Sequence, residues 1–449
     1  MGLGYIGLPT ASTFATHGLK VLGVDINPTV INTLGTGEIH IHEPGLREVV
    51  ARAIRSGNFS VSTQPEEADA FIIAVPTPFR EDAQGKYNGR KYKLADMRAV
   101  ISATEAILPH LRKGNLVVLE STSPPRTTVE LVKPILEKSG LKAGVDFHLC
   151  YSPERVLPGQ IMRELIENDR VIGGITPKSA KAGRDLYEIF VKGEIIETDA
   201  TTAEMVKLME NTTRDVNIAI ANEFSRLAEK FGVDVWEAIS LANRHPRINI
   251  LSPGPGVGGH CISVDPWFLV EAAPDLTSLI HHARQVNDAQ PHFVVEKVKQ
   301  AFIALSGVAP EAPRSRSAAA ESILKNKKIA ALGLAYKPDV DDLRESPATE
   351  VVHLLQKEGA QVSVWEPFKP DADVKGGDMA SSLDAALKNA DAILLLVKHT
   401  EFINFKPDEI ASKTKARILI DCVNGWDKQQ WEKAGFQLFR LGVNKSPIL

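Results

Sequence analysis

One cysteine at the exit of a glycine-rich run is the residue of this chain best placed for covalent chemistry. Residues 253–268 read Pro-Gly-Pro-Gly-Val-Gly-Gly-His-Cys-Ile-Ser-Val-Asp-Pro-Trp-Phe, with Cys261 after the glycines and Asp265 four residues later. Glycine lets backbone approach a ligand closely and adopt positive φ, so the thiol is expected to be presented rather than packed. A thiolate is a good carbon nucleophile and could attack a carbonyl. The alternative is a buried, inert thiol, the commoner fate of a lone cysteine. The loop alone leaves both open.

A second pattern supplies an oxidant. Gly2-Leu-Gly4-Tyr-Ile-Gly7 matches G-x-G-x-x-G, and Asp25, eighteen residues after Gly7, ends the apolar run Val-Leu-Gly-Val-Asp. Glycines at this spacing admit a pyrophosphate to a helix N-terminus, and the acid takes the adenosine ribose hydroxyls. The pattern predicts dinucleotide binding, with NAD favoured over NADP. The motif begins at residue 2, although in this fold a buried strand precedes the first glycine. Such a strand buries several Val/Ile-type side chains, each worth roughly 1.5–3 kcal/mol. The expectation is a truncated first strand, with Met1 an internal methionine of it and the natural protein starting upstream.

Polar groups elsewhere offer partners for the thiol. Lys207, Asn211 and Arg214 fall at i, i+4 and i+7 of a helical pattern and share a face. A solvated face explains them equally well, but a fixed ammonium beside a carboxamide could hold a developing oxyanion. Tyr151-Ser-Pro-Glu154-Arg155-Val-Leu-Pro-Gly159 follows a strand, and Glu154 is a candidate base or simply the ion-pair partner of Arg155. Asn243-Arg-His245-Pro-Arg247 could bind phosphate through arginine forks, although His245 alone is more often structural. Tyr336-Lys337 and the run Asp341-Asp-Leu-Arg344-Glu offer anion ligands that the neighbouring acids could equally neutralise. No H-E-x-x-H, CxxC pair or G-x-S-x-G occurs, so metal hydrolysis and serine-hydrolase chemistry lack support.

The elements that must position these groups follow from periodicity. Short apolar runs alternate with helical patterns through the first 190 residues, the signature of a parallel doubly wound sheet. Strands are expected at Lys20–Asp25, Ala70–Val75, Leu116–Glu120 and near His148–Tyr151. The stretch Thr202 to Gly232 has no proline and no interior glycine, and reads as one long helix whose length invites a dimer interface. Pro310 to Ser322 reads as a linker. Alternation then resumes with strands at Lys328–Leu334, Gln361–Trp365, Ala392–Val397 and Arg417–Asp421 and a helix at Pro347–Glu358. This second α/β unit lacks a complete G-x-G-x-x-G and either binds a nucleotide differently or is a structural duplicate. The expected fold is α/β, two Rossmann-like domains joined by a long central helix. Its divisions are a NAD-binding domain over 1–195, a central helical and dimerisation domain over 196–308, and a carboxy-terminal α/β domain over 323–449.

The composition is that of an ordinary globular protein, with 43% hydrophobic and 24% charged residues. A net charge of −4 without a long basic run gives no reason to expect nucleic acid. No apolar stretch approaches a membrane span, and no signal peptide is evident. Three widely spaced cysteines, Cys150, Cys261 and Cys422, suit a reducing cytoplasm better than a disulfide scaffold.

Taken together, these segments resemble the UDP-glucose/GDP-mannose dehydrogenase family over essentially the whole chain. The resemblance rests on Gly2–Pro9, Ile72-Ile-Ala-Val-Pro-Thr-Pro78, Leu119-Glu-Ser-Thr-Ser-Pro124, Glu154-Arg-Val-Leu-Pro-Gly159, Asn243–Arg247 and Gly256-Val-Gly-Gly-His-Cys-Ile262, in that order. It is strongest to the branch acting on UDP-N-acetyl-D-mannosamine, with UDP-N-acetylglucosamine, UDP-glucose and GDP-mannose as the other substrates to consider. It implies a four-electron oxidation at C6 using two NAD. An aldehyde would be captured by Cys261 as a thiohemiacetal, oxidised to a thioester and hydrolysed to the uronate.

By matching position, the resemblance assigns Lys207 and Asn211 to the C6 oxygen, Asp265 to positioning water and Glu154 to thioester hydrolysis. NAD contacts would fall at Gly2, Gly4, Tyr5, Ile6, Gly7, Asp25, Thr77, Thr122 and Arg344. UDP-sugar contacts would fall at Arg155, Val156, Arg214, His245, Arg247, Gly258, Tyr336 and Lys337. The sequence departs at Val423, where some relatives carry a basic residue. A two-electron hydroxyacid dehydrogenase, which needs no thiol, and an inactive nucleotide-binding module are the competing readings.

Overall fold

The structure is a computed structural model that describes residues 1–306 and 322–444. The linker expected at Pro310 to Ser322 lies outside the described residues except for Ser322. The chain divides into two compact units, Met1–Thr212 with Val264–Ser278 and Thr213–Ser263 with Leu279–Leu449. Both are α/β.

The first unit holds β1 (Val21–Val24), β2 (Phe59–Ser62), β3 (Ala70–Ile73), β4 (Phe79–Tyr87), β5 (Arg90–Ala95), β6 (Leu116–Leu119), β7 (His148–Tyr151), β8 (Arg170–Gly174) and β9 (Ile195–Asp199). One sheet runs β3-β6-β7-β8-β9, and β1 pairs β2 in another. Within these two sheets the strands pair in parallel except β7 with β8, which run antiparallel, a departure from the all-parallel expectation. Alternate residues of β6 supply opposite layers: Val117 and Leu119 pack with Phe71, Ile107 and Leu149, while Leu116 and Val118 pack with Phe14, Ile172 and Tyr187. This two-sided burial is what makes such strands read as continuous apolar runs.

Met1 to Leu3 lie between the two sheets. The Met1 ammonium donates to the Ile72 carbonyl (2.9 Å), the Ala74 amide to the Met1 carbonyl (2.8 Å) and the Gly2 amide to the Val24 carbonyl (2.7 Å). Burial pushes the Met1 ammonium down to about 6. The first glycine thus emerges between β1 and β3, the position a phosphate-binding turn requires.

An antiparallel hairpin, β4 with β5, was not anticipated. It turns at Asn88 and Gly89, both at positive φ, as a tight hairpin turn demands. The Ala95 amide at its end donates to Glu271 Oε2 (2.8 Å) and so ties the hairpin to the helix Asp265–Ala272.

In the second unit β10 (Lys328–Leu332), β11 (Gln361–Trp365), β12 (Asp378–Met379), β13 (Ala392–Leu395), β14 (Ile418–Asp421) and β15 (Gln437–Arg440) form one parallel sheet in the order β12-β11-β10-β13-β14-β15. This is the doubly wound order 3-2-1-4-5-6, whose ligand crevice lies beyond the carboxyl ends of the strands at the reversal, here β10 and β13. The loop after β10 carries Tyr336 and Lys337. The long helix spans Ala200–Phe231, close to its expected bounds. Among the described residues no helix is long and apolar enough to cross a membrane.

Candidate active site

Residues 2–7 form a turn with no room for side chains on its protein side. A Cβ on Gly2 would meet the Ala74 carbonyl oxygen at 2.6 Å, and one on Gly7 would lie 1.9 Å from the Gly2 carbonyl oxygen. At Gly4 a Cβ would meet nothing within 4 Å, so packing does not require that glycine. Close approach by a ligand does. The helix Gly7–Thr16 begins at the end of this turn, so the turn leads directly into a helix N-terminus.

Asp25 follows β1; its Oδ2 accepts the Leu3 amide and its Oδ1 the Asn27 amide, each at 2.9 Å. The loops after β3 and β6 are tied together, Thr77 Oγ1 donating to the Thr122 carbonyl and Ser121 Oγ to the Val75 carbonyl, both at 2.7 Å. The glycine cradle, the helix N-terminus and Asp25 fit a dinucleotide. Gly2, Gly4, Tyr5, Ile6, Gly7, Asp25, Thr77 and Thr122 all belong to this first unit.

The long helix carries the next group. Glu204 is fully buried and accepts the amides of Arg126 (2.6 Å) and Thr128 (2.8 Å) and the Thr128 hydroxyl (2.6 Å). The loop after β6 is thereby latched to the helix one turn before Lys207. Lys207 is buried, which rules out the solvated-face reading for it, while Arg214 is exposed. Asn211 Nδ2 donates to Asp265 Oδ2 at 2.5 Å. Burial pushes the Asp265 carboxyl up to about 6, against the pull of the Lys207 charge and the Asn211 hydrogen bond. Ammonium, carboxamide and an acid titrating near neutrality make a group able to hold an oxygen and exchange its proton.

Glu154 is not a freely solvated base. Its Oε2 takes Arg170 Nη2 (2.5 Å) and its Oε1 the Arg155 amide (2.8 Å). Arg155 in turn pairs with Glu210 on the long helix (2.7 Å). Val156 packs against the core beside Phe14 and Tyr187. The rest of this loop hangs on two further acids. Glu43 accepts the amides of Gly159 and Ile161, and Glu164 accepts that of Leu157, all at 2.8 Å. Sequence reasoning missed Glu43, Glu120, Arg170 and Glu204. A charge opening the apolar run Arg-Val-Ile-Gly-Gly was the one available signal, at Arg170.

Cys261, in the second unit, is exposed, whereas Cys150 in the first unit and Cys422 in the second are buried with their thiols pushed up by that burial. The glycines before it are required by packing. A Cβ on Gly258 would meet the Glu345 carbonyl oxygen at 2.5 Å, and one on Gly259, at φ +85°, the Tyr336 ring at 2.8 Å. The Gly259 amide donates to the Arg344 carbonyl (3.2 Å). Behind the loop, Gly254 donates to Asn222 Oδ1 (2.9 Å), Asn222 to Asn287 (2.9 Å) and Asn287 to Asp215 (2.8 Å), which pairs with the buried Arg284 (2.5 Å).

Asp342 grips the Arg344 guanidinium with both oxygens, at 2.8 and 2.6 Å. Burial, reinforced by the Arg344 charge, lowers His260. The structure therefore joins Gly258 and Gly259, directly before Cys261 in the chain, to Tyr336, Arg344 and Glu345 in one set of contacts. His245 and Arg247 are exposed on a separate loop closed by Asn243, which pairs twice with Ile250 (2.8 Å each).

Three family models match the chain: the UDP-glucose/GDP-mannose dehydrogenase family NAD binding domain over residues 1–191, its central domain over 201–289 and its UDP binding domain over 330–428. A UDP-N-acetyl-D-mannosamine dehydrogenase of Methanocaldococcus jannaschii is 46% identical over 451 residues, 99% of this chain and 96% of that protein. An NDP-N-acetyl-D-galactosaminuronic acid dehydrogenase of Ralstonia nicotianae is 46% identical over 442 residues, 96% of each. The solved structure of a UDP-D-ManNAc dehydrogenase from Pyrococcus horikoshii superposes with a TM-score of 0.87 at 38% identity, covering 99% of both chains.

Two outcomes follow from this geometry. Gly4→Ala should leave the melting temperature nearly unchanged yet weaken dinucleotide binding at least about tenfold by calorimetry, because only a ligand needs that space. Gly7→Ala should lower the melting temperature itself, since its Cβ collides with the Gly2 carbonyl. For Asp265 the folded carboxyl holds its proton more tightly than the unfolded one. Its favourable contribution is present below about pH 4 and is lost as pH rises through about 6. Asp265→Asn should therefore gain stability over the parent between pH 4 and 7, by up to about 3 kcal/mol in denaturant titrations. Activity of the parent should rise through pH 6.

Proposed function

This chain belongs to the UDP-glucose/GDP-mannose dehydrogenase family and is an NAD-dependent UDP-sugar dehydrogenase, and we propose that it oxidises UDP-N-acetyl-D-mannosamine at C6 to the uronate through a thioester on Cys261. The substrate assignment is supported by the names of relatives such as the M. jannaschii protein. The covalent step is carried by one observation: of three thiols, Cys261 alone is exposed, on a loop whose glycines fit against the Tyr336 to Pro347 segment. We retain three functional segments, 1–195 for NAD, 196–308 for the central helices and 323–449 for the UDP-sugar, and a cytoplasmic setting.

Bound NAD supplies the hydride acceptor for each of two oxidations. Lys207 and Asn211 hold the C6 oxygen as charge develops on it, and Asp265, titrating near 6, relays its proton toward solvent. The Cys261 sulfur then adds to the aldehyde carbon and the thiol proton passes to the carbonyl oxygen, which retains the reactive intermediate as a thiohemiacetal. Loss of the second hydride and the hydroxyl proton leaves the thioester. Water, directed by Glu154, adds to it and expels the thiol, giving the carboxylate and restoring Cys261. Arg155, Arg214, His245, Arg247, Tyr336 and Lys337 bind the nucleotide sugar, and Arg344, gripped by Asp342, contributes to NAD.

A second substrate reading has one observation in its favour, the Ralstonia relative named for an N-acetylgalactosaminuronic product at the same 46% identity. Incubation with NAD and each of UDP-N-acetylmannosamine, UDP-N-acetylglucosamine, UDP-N-acetylgalactosamine, UDP-glucose and GDP-mannose decides between them. We expect uronate from the first with two NADH per sugar, and Cys261→Ser to lower turnover at least about a thousandfold. One NADH per sugar with an active serine variant would return the chain to two-electron chemistry.

The long helix supports a homodimer. Ile220, Phe224, Leu227 and Phe231 are 45%, 40%, 42% and 69% exposed and fall at i, i+4, i+7 and i+11, one apolar stripe. An apolar stripe left in water is a mark of an association surface. The double variant Phe224→Glu/Leu227→Glu should sediment as a monomer where the parent sediments as a dimer. A dimer mass for the variant would place the interface elsewhere.

A further inference from the structure

Behind Glu154 lies a buried cluster that the reaction scheme leaves unused. Arg170 opens β8 with a side chain only 4% exposed, and its guanidinium lies over the Tyr187 ring, 4.2 Å from the centroid. Its Nη2 donates to Glu154 Oε2 (2.5 Å) and its Nη1 to Ser152 Oγ (3.0 Å), with Glu120 Oε1 at 3.5 Å. Tyr187 donates its hydroxyl to Glu120, whose Oε2 has no hydrogen-bond partner and is sealed from solvent. The Arg170 amide is fixed as well, donating to the Glu194 carbonyl (2.8 Å). A guanidinium stacked on a ring, bonded along its fork and anchored at the backbone has one orientation available.

We propose that Arg170 is a positioning residue for thioester hydrolysis, its buried fork fixing the Glu154 carboxylate that directs the water. The proposal rests on the assignment of Glu154 above. One guanidinium faces two carboxylates, and they are not equivalent. Glu154 has the closer contact and a second donor in the Arg155 amide. Glu120 is fully enclosed, and its burial, with the Glu154 charge adding to it, pushes it up to about 7. A proton that the cluster must hold sits on the enclosed Glu120, while Arg170 keeps its short contact to Glu154. Arg170 thus spends its charge on the acid nearer the reaction. Lysine cannot substitute, because a single ammonium cannot span Glu154 and Ser152 while lying flat on Tyr187.

The test separates acyl-enzyme formation from its hydrolysis. Stopped-flow NADH traces and quenched-flow mass spectrometry of Cys261 are recorded with the full chain, NAD and UDP-N-acetylmannosamine. Arg170→Lys should keep the rate of the first NADH release and the KM while slowing hydrolysis about tenfold to a hundredfold, the scale of a misplaced reacting group. The signature is a burst approaching two NADH per site and an accumulating acyl adduct. Unchanged steady-state turnover, or an equal loss in the burst and steady-state phases, would overturn the proposal.

If Arg170→Lys does not fold, Ser152→Ala decides. It removes one fork partner without altering charge, and should slow hydrolysis two- to threefold with the burst rate intact; no slowing overturns the proposal. Glu154→Gln run in parallel distinguishes the two layers. If it hydrolyses normally, the assignment of Glu154 fails and this proposal with it. If it stalls as the acyl-enzyme while Arg170→Lys does not, only the role of Arg170 fails.

Discussion

Backbone amides in loops that must lie close to a ligand have no sheet or helix partner, and leaving them buried and unpaired costs about 1–3 kcal/mol each. In this chain buried or half-buried carboxylates take them up. Asp25 holds Leu3, Glu43 holds Gly159 and Ile161, Glu204 holds Arg126 and Thr128, and Glu366 holds Leu334 and Ala335. Asp421 closes the loop after β14 in the same way, through Val423, Gly425 and Trp426. A carboxylate offers two oxygens with several lone pairs and can bind two amides that point apart. Each latch turns an irregular segment into a fixed one, and the proposed reaction depends on segments of that kind.

The two α/β units handle their first turns differently for the same reason. In both, an acid follows the second strand of the doubly wound order, Asp25 after β1 and Glu366 after β11. Asp25 spends one oxygen on Leu3 and the other on Asn27, and it stays at the edge of an open glycine cradle. Glu366 is fully buried, accepts the Leu334 and Ala335 amides with one oxygen and lies 3.1 Å from His399. The second unit, which lacks G-x-G-x-x-G, thus has its first turn held by a buried acid of the protein itself.

Groups whose job is written locally were legible in the sequence. The G-x-G-x-x-G turn, the strands β6 and β10 and the long helix rest on short-range spacing and periodicity, and the structure has them within a few residues of their expected bounds. Presentation of Cys261 was readable from its glycines, although their physical role proved to be contact with Tyr336, Glu345 and Pro347. The latches were not legible. Glu43 lies 116 residues from Gly159, and Glu204 lies 76 from Thr128, so no window reports the pairing. The antiparallel turn of β8 and the hairpin at Asn88-Gly89 were missed because tertiary pairing, not local pattern, fixes strand direction.

Donor supply separates the acids that hold loops from the acid placed to exchange a proton. Glu366 is enclosed yet held below the ordinary carboxylate range, because His399 and three backbone amides outweigh its desolvation. Glu204 takes three donors, and burial still pushes it up. Asp265 has one side-chain donor, Asn211, and the Lys207 charge, and these fall short of offsetting complete burial. Its proton is therefore bound weakly enough to leave and tightly enough to return near neutral pH. Under-satisfaction that would be a defect in a latch is what a proton relay beside an ammonium requires.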